Sequence, residues 1–218
     1  MAIKVVVFDY DLTLYSTTSE YHNIWNEYTS EMLPQIFGSL NQAEFNRLLE
    51  AFEIQPPHSI EKVARACLYQ FGSAKPLVDY LFTHPYNQDY KNMRYIDNET
   101  IAEFASLANL YILSNAPANN IARQLSEVAH IDTSNFKSIY TNPHNASCPD
   151  KAYVLRKIIE EERVKPNEVL MVGDSLTGDI MPAKNLGLQT YQVTKIDDLK
   201  RLLSILKQEN EKELSVDK

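Results

Sequence analysis

Ile3-Lys4-Val5-Val6-Val7-Phe8-Asp9-Tyr10-Asp11-Leu12-Thr13 joins a nearly continuous apolar run to two carboxylates one residue apart. The first half is β-branched and lacks polar alternation, which predicts a strand buried on both faces of a parallel sheet. In extended backbone, residues i and i+2 point to one side, so Asp9 and Asp11 share a face and Tyr10 turns away. Two carboxylates held that close repel unless a cation or a shared proton compensates. Taken alone, Asp-x-Asp after a strand reads as a solvated loop. A calcium loop would use Asp9, Asp11, Thr13 and Glu20, but Leu14 stands where its sharp turn needs glycine.

Four similar short runs follow, at Leu110 to Leu113, Phe136 to Tyr140, Val169 to Val172 and Gln189 to Val193. Helical patterns separate them, over Asn98 to Ala108, Ala118 to Ala129, Pro149 to Arg163, Asp179 to Leu186 and Ile196 to Glu211. Strand alternating with helix predicts an α/β fold with a parallel, Rossmann-like sheet flanked by helices. Gly187 falls where a helix C-terminal cap belongs. Residues 16–93 break the rhythm: they carry amphipathic patterns such as Tyr21, Ile24, Trp25, Tyr28 and Met32, and no convincing strand. The expected organisation is therefore a core of residues 1–15 and 94–218 with a helical cap inserted at 16–93. The charged end, Lys207 to Lys218, is expected to fray.

Further chemistry stands where later strands end. Ser114-Asn115 follows the second run, and Gly173-Asp174-Ser175-Leu176-Thr177-Gly178-Asp179 follows the fourth. Open α/β sheets bind ligands outside the carboxyl ends of their strands, so three strands deliver polar groups to one edge. Ser147-Cys148-Pro149-Asp150-Lys151 reads as a capped helix start. A lysine in a first turn opposes the helix dipole, which marks Lys151 either as a solvated stem or as a cation aimed at the acidic site.

The ordered set Asp9-x-Asp11-x-Thr13, Ser114-Asn115, Lys151 and Gly173-Asp174-Ser175-x-x-x-Asp179 resembles the four motifs of the haloacid dehalogenase-like hydrolase superfamily. The 16–93 insert is similar to that family's alpha-helical cap. The resemblance implies Mg²⁺ and a covalent aspartyl-phosphate on Asp9, with Asp11 as general acid and base. It implies metal ligation by the Asp9 side chain, the Asp11 backbone carbonyl and Asp174, with Asp179 ligating directly or through water, and phosphate binding by Thr13, Ser114, Asn115 and Lys151. In many relatives the lysine directly precedes a proline, which here would be Cys148; Lys151 is one helical turn later. Its ammonium is expected to reach the Asp9 carboxylate or the phosphate.

The expected activity is Mg-dependent phosphatase action on a small phosphorylated metabolite. A phosphomutase would share every core motif. A phospho-accepting signalling module would share the acidic pocket and lysine but not the helical insert. A dehalogenase would not need Asp11. Tyr15, Tyr21, His22, Trp25 and Tyr28 are candidates to face the leaving group, although each also suits simple packing of the cap. The 218 residues are 44% hydrophobic with a formal charge of −8, against a nucleic-acid or anionic-membrane partner. No apolar run approaches the roughly 20 residues of a membrane span. Ile3 to Phe8 is too short for a signal-peptide core, and the two cysteines, Cys67 and Cys148, lack metal-ligand spacing, so a reducing, cytoplasmic setting is expected.

Overall fold

Val5–Phe8 lies at the centre of a computed structural model that describes residues 2–16, 19–55, 60–84, 93–116, 118–141 and 151–216. Side chains of residues 19–25, 61, 82, 119 and 213–216 are outside that description. In chain order the elements are β1 (Val5–Phe8), β2 (Tyr15–Ser16), α1 (Ser19–Ile36), α2 (Gln42–Ala51), α3 (Ile60–Phe71), α4 (Lys75–Thr83), β3 (Arg94–Tyr95) and α5 (Asn98–Leu107). Then come β4 (Asn109–Ser114), α6 (Ala118–Arg123), β5 (Phe136–Thr141), α7 (Lys151–Glu162), β6 (Val169–Gly173), α8 (Met181–Asn185), β7 (Gln189–Gln192) and α9 (Asp197–Val216).

The five long strands form one parallel sheet in the order β5-β4-β1-β6-β7. Both faces of β1 are covered, which accounts for its unbroken apolarity. Val6 and Phe8 join Leu110, Ile112, Leu170 and Val172 in a core shared with α5 and α9, while Val5 and Val7 join Tyr111, Leu113, Val169 and Met171 beneath α7 and α8. Because β4 lies on one side of β1 and β6 on the other, the chain reverses direction of travel beside β1. A crevice outside the carboxyl ends of these strands is the ligand position of such sheets.

The chain divides into two compact units at Ser16/Thr17 and Asn92/Met93. The first holds the sheet with α5–α9. The second holds α1–α4 around its own core, including Met32, Phe37, Leu48, Val63, Cys67 and Leu77. Inside it Tyr28 donates to the His84 carbonyl at 2.7 Å and stands beside Tyr80, so this residue packs its own unit.

Several expected elements differ in detail. β2 and β3 form a two-residue antiparallel ribbon, too short to leave a period-two pattern in the sequence. The helix expected over Ala118 to Ala129 stays α-helical only to Arg123 and widens into a π-type turn over Gln124–Val128. Asp179 does not begin a helix; it lies in another wide turn, Leu176–Ile180, before α8. The C-terminal helix does not fray at Lys207 but runs to Val216: Leu199, Leu202, Leu203 and Leu206 anchor it, and Lys and Glu beyond them are good helix formers. Gly187 adopts φ +80°, as a glycine cap requires. Among the described residues, no helix is long and apolar enough to cross a membrane.

Candidate active site

β1 ends at Phe8, and the Asp9 amide donates to the Val172 carbonyl at 2.8 Å, holding Asp9 one step beyond the sheet between β4 and β6. The chain then turns sharply, with Leu14 and Thr13 amides returning to the Tyr10 carbonyl at 3.0 and 3.3 Å. Leu12 takes φ +59°, a left-handed conformation uncommon outside glycine. Tyr10 turns into the core at 1% exposure, and its hydroxyl donates to Gln124 Oε1.

Lys151 opens α7 and is 5% exposed. Its Nζ lies 2.6 Å from Asp9 Oδ1 and 2.6 Å from Asp179 Oδ1. The second partner comes from the wide turn after β6. There Ser175 accepts from the Gly178 amide at 3.0 Å, and the Ser175 amide donates to Asp179 Oδ2 at 3.0 Å. Gly173 makes room for this packing: a Cβ on it would stand 2.3 Å from Asp179 Oδ2.

Carboxylate oxygens of Asp9, Asp174 and Asp179 lie within 4.8 Å of one another. One ammonium against three carboxylates leaves two negative charges uncompensated, and the donors are all hard oxygens. That set fits a divalent cation of the magnesium or calcium kind, not zinc. Burial raises the Asp9 carboxyl above its ordinary range, Lys151 opposing the rise and Asp179 and Asp11 adding to it. Burial also raises Asp174, again with help from Asp179. Lys151 is itself raised, because Asp9 and Asp179 overcome the desolvation that would lower it.

Asp11 is held at both oxygens. Tyr15 donates to Oδ1 at 2.7 Å and Ser114 to Oδ2 at 3.3 Å. Ser114 is buried at the end of β4, and its Oγ also accepts from the Ala116 amide at 3.0 Å. Protein atoms crowd the Asp11 carboxyl and raise it, while Tyr15, the Lys151 charge and Ser114 pull it back. Solvent nonetheless reaches the residue. Thr13 is buried and donates to Asp9 Oδ2 at 3.4 Å; Asn115 is exposed at the mouth of the edge.

One sheet edge thus gathers Asp9, Asp11, Thr13, Ser114, Lys151, Asp174 and Asp179. The 147–150 capping pattern, and the side chains of Tyr21, His22 and Trp25, lie outside the described residues. The sequence alone did not reveal the Lys151–Asp179 pair or the hold of Tyr15 on Asp11. The tyrosine's i+4 spacing from Asp11 was the only available signal, and it gains meaning only once the turn is built.

The haloacid dehalogenase-like hydrolase family model matches residues 3–187, and the chain belongs to that family. No curated protein matches the sequence. Among solved structures, a HAD phosphatase from Thermococcus onnurineus is similar at 16% identity and TM-score 0.56, covering 92% of this chain and 97% of its own. The magnesium-bound YfnB of Bacillus subtilis is similar at 15% identity and TM-score 0.55, covering 94% and 100%. A haloacid dehalogenase-like hydrolase from Xanthomonas campestris shares 13% identity at TM-score 0.55, covering 94% and 96%. These likenesses are of fold.

Proposed function

We propose that this haloacid dehalogenase-like hydrolase is a phosphatase that passes the phosphoryl group of a small phosphorylated metabolite through the Asp9 carboxylate to water. The observation that carries the reading is the Asp9 carboxylate held 2.6 Å from a buried ammonium, with a second, separately anchored carboxylate two residues on. The phosphatase description of the Thermococcus relative and the magnesium in the Bacillus one point the same way.

Asp9 attacks phosphorus, forming the Asp9–phosphorus bond as the bond to the leaving oxygen breaks, and Asp11 gives that oxygen its proton. Asp11, now a carboxylate, takes a proton from water. The water oxygen attacks phosphorus and the Asp9–phosphorus bond breaks, releasing inorganic phosphate. Lys151, Ser114, the Asn115 backbone and Thr13 position the transferring oxygens and stabilise their charge. Asp9, the Asp11 backbone carbonyl and Asp174, with Asp179 directly or through water, would hold Mg²⁺, which would offset repulsion between nucleophile and phosphate dianion. The helical second unit serves as the cap that selects the leaving group, and the setting is cytoplasmic.

The test is a phosphate-release screen over phosphometabolites and an aryl phosphate, run with Mg²⁺, after chelation, and with Asp9→Asn. Release only with metal, and none from a folded Asp9→Asn protein, is expected. Full activity after exhaustive chelation would overturn the metal assignment.

A further inference from the structure

Tyr15 donates its hydroxyl to Asp11, and its ring has no room to turn. It is 2% exposed, with Tyr10 at 5.2 Å between centroids on one side and Tyr95 at 5.5 Å on the other. Its backbone is fixed as well: Tyr15 pairs with Tyr95 across the β2–β3 ribbon, and the Ile96 amide donates to the Leu14 carbonyl at 3.0 Å. A buried phenol so clamped aims its hydroxyl in one direction, at Asp11 Oδ1, 2.7 Å away.

We propose that Tyr15 is a positioning residue for the acid/base step: by occupying Oδ1 of Asp11 as donor, it makes Oδ2 the oxygen that carries the proton to and from substrate. An O–H oxygen accepts more weakly than a carbonyl oxygen, so a protonated Asp11 that keeps the Tyr15 bond to Oδ1 favours its proton on Oδ2. That oxygen has the weaker partner, Ser114 at 3.3 Å, whose hydroxyl already accepts from the Ala116 amide. Oδ2 is therefore the freer of the two, and it lies on the side where β4 ends. Without the Tyr15 hydroxyl, either oxygen can take the proton, and the carboxyl can rotate away from the leaving group. The assignment rests on the phosphatase reading. It gives Tyr15, a candidate to face the leaving group, a role toward Asp11 instead; the residue lies in the first unit, which the chain leaves only after Ser16.

An acid acting on the leaving oxygen matters most when that oxygen leaves poorly. The experiment measures kcat/KM for phenyl phosphate and 2,4-dinitrophenyl phosphate, with Mg²⁺, in wild type, Tyr15→Phe, Asp11→Asn and the double variant. Tyr15→Phe should lower kcat/KM about 10-fold or more for the phenyl ester and within about twofold for the dinitrophenyl ester. In the Asp11→Asn background the same change should have no further effect on either, because the hydroxyl acts through Asp11. Equal loss on both esters, no loss on either, or a full additional loss in the double variant would overturn the role of Tyr15 while leaving the phosphatase reading intact. A wild type that hydrolyses neither ester would overturn the phosphatase reading and this inference with it.

Discussion

Lys151 faces two carboxylates that a single side chain must satisfy, since its Nζ stands 2.6 Å from both Asp9 and Asp179. Removing it leaves two buried anions without their cation, a change that costs about 3–5 kcal/mol when nothing replaces the charge. Lys151→Ala should therefore lower both kcat/KM and the melting temperature, with part of the stability restored by Mg²⁺. Lys151→Arg should rescue activity poorly, because a planar fork cannot occupy a site built around a point charge. Unchanged kinetics and melting in Lys151→Ala would show that the pair contributes nothing. Asp9, Asp11 and Lys151 were legible in the sequence because strand ends and helix starts fix where their side chains begin. The Asp179 contact was not legible. It depends on a π-type turn, and no hydrophobic period distinguishes that turn from the first turn of a helix.

Between β6 and α8 the element itself is the device. Gly173 ends the strand without a side chain, the wide turn brings Asp179 back over it, and a Cβ at residue 173 would meet Asp179 Oδ2 at 2.3 Å. Gly173→Ala should displace Asp179 from Lys151 and from the Ser175 amide. A misplacement near 1 Å lowers kcat/KM on the order of 10²-fold, and metal titration should show weaker Mg²⁺ activation as well. Wild-type metal dependence in this variant would contradict the close packing. The opposite edge of the sheet holds a structural counterpart. Glu162, the last residue of α7, accepts from Asn109 at 2.8 Å, from Tyr111 and from Lys137 at 2.8 Å. Burial works against its charge, yet these partners hold its carboxyl below the usual value. The stability this lends is complete above the ordinary glutamate value of 4.5 and is lost as pH falls through the lowered one. Glu162→Gln should lower the neutral-pH melting temperature by an amount worth about 1–3 kcal/mol. It should also flatten the acid-side decline, so an unchanged melting curve from neutral to acid pH would refute the role. Neither this cluster nor the β2–β3 ribbon follows from periodicity, because both arise from pairings between segments distant in sequence.

That the sheet is parallel follows from short runs separated by helices, and β1, β4 and β6 were readable because burial on both faces leaves no alternation to misread. By contrast, β5 and β7 are only partly covered, and the strand order is not written in the pattern. α9 extends the same core beyond the family match at residue 187, with Leu199 to Leu206 packed under the sheet. Substrate choice is not written in the core motifs. On the phosphatase reading proposed above, they address only the phosphoryl group, which every phosphate ester shares. What the whole molecule must do, on this account, is carry that group on Asp9 for part of each turnover. Acid quench during turnover with Mg²⁺, followed by borohydride reduction and peptide mass spectrometry, reads this directly. Homoserine is expected at position 9, absent without substrate and absent in Asp9→Asn. Phosphate release with no homoserine at position 9, together with an Asp9→Asn protein that turns over at the wild-type rate, would contradict it.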